Sequence, residues 1–82
     1  MKDDAEPRGQ PLDQMPIGQE VEVAYIALPE PARLVHLANL GLRPGARVRL
    51  QQKTPAAVVR VGGTTLAIEP EIAGAIYVKR GA

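Results

Sequence analysis

Two glycine stops four residues apart, Gly41 and Gly45, divide an apolar pattern of helical period from one of strand period, and this junction constrains the fold more than any other stretch of the chain. On its N-terminal side, Leu34, Leu37 and Ala38 recur at i, i+3 and i+4, the stripe of an amphipathic helix. Arg33, His36 and Asn39 lie off that stripe. Pro29-Glu30-Pro31 suits the helix start, because a proline at the first helical position lacks an N–H that would have no intrahelical partner anyway. Gly41 suits the end, since it takes a left-handed conformation without a Cβ penalty, and Leu42 then meets Leu37 across a Schellman cap. On the C-terminal side, Ala46, Val48 and Leu50 alternate with Arg47, Arg49 and Gln51, which is the period of a strand with one buried face. Between them Arg43-Pro44-Gly45-Ala46 reads as a type II turn, with proline at its second position and glycine at its third.

The rest of the chain repeats the strand pattern in short pieces. After Gly18, Val21, Val23 and Tyr25 alternate with Glu20, Glu22 and Ala24, giving one buried face. Ile26 and Leu28 break the alternation as a bulge or a strand end would. Ala57, Val59 and Val61 alternate with Val58 and Arg60. Gly62-Gly63 fits a two-residue hairpin loop, and the chain returns from Thr64 to Glu69 with Leu66 and Ile68 inward. Pro70 stops that strand. Residues 71–75 have room for little more than a helical turn, and Ile76 and Val78 face inward on the last strand. The expectation is a mainly β fold of five short strands with one to two short helices. Strands this short with tight turns favour a small barrel, because closure removes exposed edges. The chain has no Phe or Trp and only Tyr25 and Tyr77, so Val, Leu, Ile and Ala must fill the core. Residues 1–14 are polar and interrupted by Pro7, Gly9 and Pro11; they read as a disordered N-terminal tail ahead of one domain over residues 15–82.

The composition removes most chemistry. Without Cys there are no disulfides, thiolate nucleophiles, iron–sulfur clusters or cysteine zinc sites. Without Ser, the hydroxyls of Thr54, Thr64 and Thr65 sit in loop or strand-edge contexts that assemble no triad. Glu69 and Glu71 flank Pro70 in a turn with no nucleophile beside them, so they read as solvated acids rather than an acid/base pair. Gly62-Gly63 lies between two strands and lacks the Lys and following helix of a phosphate loop. His36 is the only histidine; with Glu30 it forms no more than a weak metal candidate, since metal sites draw three or four converging ligands. No enzyme and no cofactor is expected. The acidic start lacks an apolar run, no stretch approaches the ~20 apolar residues of a membrane span, and a small domain without disulfides fits a reducing, cytoplasmic compartment.

The charge is split along the chain. Residues 1–30 hold two basic and seven acidic residues, and residues 31–82 hold eight basic and two acidic. Either this is an acidic tail followed by solvated strand faces, or the second part carries a basic docking face for an acidic partner. Nucleic acid is not expected, because stacking aromatics and a recognition helix are both missing. Arg47, Arg49 and Arg60 point outward on neighbouring strand positions and are the best candidates for a partner face. Leu40, Leu42 and Pro44, with Arg43 among them, either cap the barrel or line an apolar docking groove. Gly41, Gly45, Gly62 and Gly63 are assigned structural turns.

The run Leu37-Ala38-Asn39-Leu40-Gly41-Leu42-Arg43-Pro44-Gly45-Ala46-Arg47-Val48 resembles the signature of the FeoA family, ferrous iron transport protein A. Val59 to Ile68 and Ile72 to Val78 are similar to the family's later strands, and Ile17 to Val21 to its opening strand, so the resemblance covers about residues 15–80. It implies an SH3-like barrel without catalytic residues that docks on the cytoplasmic GTPase domain of a FeoB-type membrane transporter; a monomer is expected. Two departures stand out: the short linker Gln51 to Pro55 and the long polar N-terminal segment. The same barrel also occurs as the C-terminal domain of metal-dependent repressors resembling the diphtheria toxin repressor. There the start of this helix supplies a pair of oxygen ligands; Glu30 stands at the matching place, but Arg33 stands where the second ligand would be.

Overall fold

Six antiparallel strands form one sheet, in the order β1-β6-β2-β3-β4-β5, in a computed structural model that describes residues 9–80. They are β1 (Gln10–Pro11), β2 (Glu20–Ile26), β3 (Arg47–Gln52), β4 (Ala57–Val61), β5 (Thr64–Ile68) and β6 (Ile76–Arg80). Helix α1 (Pro31–Asn39) joins β2 to β3, and α2 (Pro70–Ala75) joins β5 to β6. This is the mainly β, SH3-like architecture expected, with one strand more. No helix among the described residues is long and apolar enough to cross a membrane.

The junction at Gly41 and Gly45 folds as its local chemistry dictates. Gly41 has φ +100°, its N–H donates to Ala38 O at 2.9 Å, and the Leu42 N–H donates to Leu37 O at 2.9 Å. That is the pair of bonds of a Schellman cap, and Leu37 and Leu42 are both buried. In the turn that follows, Gly45 has φ +94° and the Ala46 N–H donates to Arg43 O at 3.0 Å. The Gly45 N–H also donates to Val23 O at 2.8 Å, so the turn is tied to β2. At the Gly62-Gly63 hairpin Val61 pairs with Thr64; Gly62 takes the positive φ, +60°, at the first central position, as in a type II′ turn.

The core is aliphatic throughout. Val21, Val23, Val48, Leu50, Val59, Ile76 and Val78 are at most 1% exposed, and no polar side chain is buried among the described residues. Burying one such side chain is worth about 1.5–3 kcal/mol.

Two expectations need correction. The first is the extent of the tail. Residues 1–8 lie outside the described residues, but 9–14 belong to the fold: Gln10 and Pro11 pair with Val78 and Tyr77, a 3-10 turn follows over Leu12–Gln14, and Leu12 is fully buried. The second is the inward position of Tyr25. The β2–β6 register shifts between Val23 and Tyr25, so Ala24 is an extra residue and the side chains beyond it change face. Tyr25 becomes exposed and stacks on Tyr77, with ring centroids 4.7 Å apart and planes 4° from parallel. Ile26 and Leu28 instead pack on the core.

Candidate docking surface

Alternation along β3 and β4 decides where the arginines stand. Because Val48, Leu50, Val59 and Val61 face the core, Arg47, Arg49 and Arg60 face solvent. The register brings Arg49 and Arg60 directly opposite each other. Cross-strand partners have Cβ atoms about 4.5–5.5 Å apart, and like charges at that spacing are destabilising. The Schellman turn carries Leu40 and Arg43 to the same end of the sheet. Together these residues line an open groove of about 680 Å³, with Gly41, Val61 and Gly62 among its walls. All four cations in the groove, Arg43, Arg47, Arg49 and Arg60, are arginines; Lys53 and Lys79 lie outside it. The guanidinium fork matches a carboxylate or phosphate through two parallel hydrogen bonds, which a lysine cannot do.

The face is less purely basic than the charge split along the chain suggests. The register places Glu20 opposite Arg49 and Glu22 opposite both Arg47 and Lys79. Arg60, in contrast, has Arg49 on one side and the uncharged Thr65 on the other. The cationic excess is therefore concentrated at the β3–β4 side of the groove.

A second, apolar groove of about 430 Å³ lies between α1 and β2, lined by Tyr25, Leu34, Val35, Ala38 and Pro44. Arg43 borders both grooves. The candidate residues thus divide: Leu40 is exposed beside the arginines, Pro44 is exposed beside the apolar groove, and Leu42 is a core residue at 0% exposure that lies at the floor of the apolar groove. The sequence reading missed Tyr25 and Val35. Val35, 59% exposed, was detectable as an apolar residue off the helix's inward stripe.

The acidic and histidine candidates do not converge. Among the described residues no three His, Cys, Asp or Glu side chains are grouped to hold a metal ion. His36 is exposed on α1. Glu30 pairs with Arg33 at 3.7 Å, and Arg33 also reaches Glu69 at 3.5 Å, so one guanidinium joins the N-terminal ends of the two helices.

Comparison with known proteins gives the family. The FeoA domain model matches residues 10–80. No curated protein matches in sequence. Among solved structures, the chain is similar to an iron uptake regulatory protein (FeoA), at 31% identity and TM-score 0.74 over 85% of this chain and 93% of that one. It is similar to the FeoA protein of Chlorobium tepidum at 29% identity and TM-score 0.80, covering 89% of this chain and 71% of that one. The fold is shared with the IdeR protein of T. acidophilum, at 23% identity and TM-score 0.79, where the match covers 99% of this chain and 37% of that one. The family model spans residues 10–80 and the solved FeoA structure is 31% identical over 85% of this chain, so the chain belongs to the FeoA family, accessory proteins of ferrous iron transport.

Proposed function

We propose that this chain is a cytoplasmic, non-catalytic module that docks on the GTPase-bearing domain of a FeoB-type ferrous iron transporter and thereby assembles or regulates it. The observation that carries this reading is the arginine groove, above all the direct opposition of Arg49 and Arg60. A fold gains nothing from setting two guanidinium groups across a ladder from each other. A partner carboxylate placed between them relieves the repulsion and is held by charge-assisted bonds. Leu40, exposed beside the cations, supplies the apolar contact that an interface core needs.

The test is titration calorimetry with the soluble GTPase-bearing domain. Arg49→Glu with Arg60→Glu weakens binding at least about tenfold, equivalent to about 1.4 kcal/mol, while the amide spectrum of the free protein keeps its dispersion. Unchanged affinity removes the groove as the contact, and absence of binding by the parent protein removes the docking role on that domain.

The second reading, a regulatory domain of a metal-dependent repressor, rests on the shared fold alone. It needs a pair of oxygen ligands at the start of α1. Arg33 is instead engaged with Glu30 and Glu69, and a guanidinium remains protonated and ligates no metal.

A further inference from the structure

The two edges of the sheet are built differently. At one end, β1 is two residues long and includes Pro11, a short, proline-bearing edge of the kind that discourages further pairing. At the other end, β5 reads Thr64-Thr65-Leu66-Ala67-Ile68, five residues paired among the described residues only with β4. It thus has no charge, proline or bulge of the kind by which sheets commonly protect their edges.

The hairpin fixes which of its backbone groups are open. In a ladder closed by a two-residue turn, the pair beside the turn, Val61–Thr64, is hydrogen-bonded, and bonded pairs alternate from there. Thr64, Leu66 and Ile68 therefore bond to β4, whereas Thr65 and Ala67 direct their N–H and C=O groups away from it. No other backbone hydrogen bond among the described residues reaches residues 63–68. Thr65 and Ala67 are exposed, and Leu66 between them is a core-facing side chain left half-buried at this edge.

We infer that this edge pairs with the same edge of a second copy of this chain, antiparallel about a two-fold axis through Leu66. In that register Thr65 of each copy forms a hydrogen-bonded pair with Ala67 of the other, which satisfies all the open groups of both residues. The two Leu66 residues then oppose each other in the closely spaced, non-bonded pair between them, and each covers the other's exposed side. The absence of charge in β5 favours a second copy over a partner of specific charge, because self-pairing sets every residue against its own sequence and any charge at the axis would repel itself. The contact is small, so the association is weak. It departs from the monomer expected from sequence and is independent of the docking reading. One consequence bears on that reading: Thr65 neighbours Arg60 on the outer face, so the joined sheet presents two arginine grooves on one side, a bivalent surface.

The experiment is sedimentation equilibrium up to about 1 mM, where weak contacts register, with amide spectra at the same concentrations. The parent chain dimerises reversibly, and the amides of Thr65 and Ala67 shift with concentration. Thr65→Glu with Ala67→Glu sets a carboxylate of one copy against a carboxylate of the other at both bonded pairs and abolishes the dimer. Thr65→Glu with Ala67→Lys sets opposite charges at the same places and restores it. Both variants carry the same new carboxylate opposite Arg60, so its effect on folding is common to the two. A parent chain that stays monomeric at the highest concentration, or a dimer indifferent to both variants, overturns the proposal.

Discussion

Gly41 and Gly45 have nearly the same backbone conformation, φ +100° and +94°, but different surroundings, and the pair separates two costs that are usually measured together. A Cβ on Gly45 meets nothing within 4 Å; a Cβ on Gly41 lies 3.0 Å from Val61 Cγ1. Gly45→Ala therefore carries the backbone term alone. Placing an L-residue in the left-handed region costs about 1–2 kcal/mol, and the reduced entropy of the unfolded chain returns about 0.4–1 kcal/mol, so the net loss is about 1 kcal/mol. Gly41→Ala adds the compression of a β4 core side chain, about 1–3 kcal/mol, for a total of about 2–4 kcal/mol. Marginal stability of about 0.05–0.15 kcal/mol per residue makes that a large share of the whole, and each kcal/mol lowers Tm by about 4–8 °C in a domain of this size. Urea unfolding followed by far-UV circular dichroism measures both, with the slope expected to be unchanged. Val61→Ala supplies the control. Alone it removes two methyl groups at about 0.5–1.5 kcal/mol each; combined with Gly41→Ala it costs less, because it also removes the clash, whereas combined with Gly45→Ala it adds independently. Equal losses for the two glycine variants, or a Val61→Ala cost that is the same in both backgrounds, refute the argument.

Two further substitutions test other parts of the fold. Leu12→Ala lowers stability by about 2–5 kcal/mol in the same assay, because Leu12 is fully buried; a loss under about 0.5 kcal/mol would return residues 9–14 to the status of a tail. Arg33→Met, in contrast, changes stability by less than about 1 kcal/mol, since its ion pairs with Glu30 and Glu69 are long and well exposed; a larger loss would show that the link between α1 and α2 is a structural tie.

What could be read from sequence was what is set within a few residues. The helix end at Gly41 and the turn at Gly45 follow from local hydrogen bonding and from the backbone freedom of glycine, and both appear as expected. The inward faces of β3, β4 and β6 follow from period-two alternation, and with them the outward direction of Arg47, Arg49 and Arg60. The failures lie where distant partners decide. Ala24 has nothing in its side chain to mark a bulge; the shift is a property of its pairing with β6, and it turns Tyr25 outward. Gln10 and Pro11 make a strand too short to show any period, and Leu12 looks like a stray apolar residue in a polar segment until the pairing of Gln10 and Pro11 with Val78 and Tyr77 brings it onto the core.

The candidate site shows the same division with a consequence for its chemistry. Along the chain, acids precede bases, and the simplest expectation is an acidic region and a basic one kept apart. Antiparallel pairing of β2 with β3 and β6 folds the two together, so that Glu22 stands against Arg47 and Lys79, and Glu20 against Arg49. Arg47 is therefore balanced by a carboxylate of its own sheet, while Arg60 has no acidic cross-strand partner and shares its neighbour Arg49 with Glu20. Across the ladder, Glu22 stands opposite Arg47, whereas no carboxylate stands opposite Arg60. On the docking proposal, the affinity of the groove for an acidic surface thus depends more on Arg60 than on Arg47, although the two are equally basic and equally outward in the sequence pattern, because the register between strands decides which positive charge is left to act on another molecule.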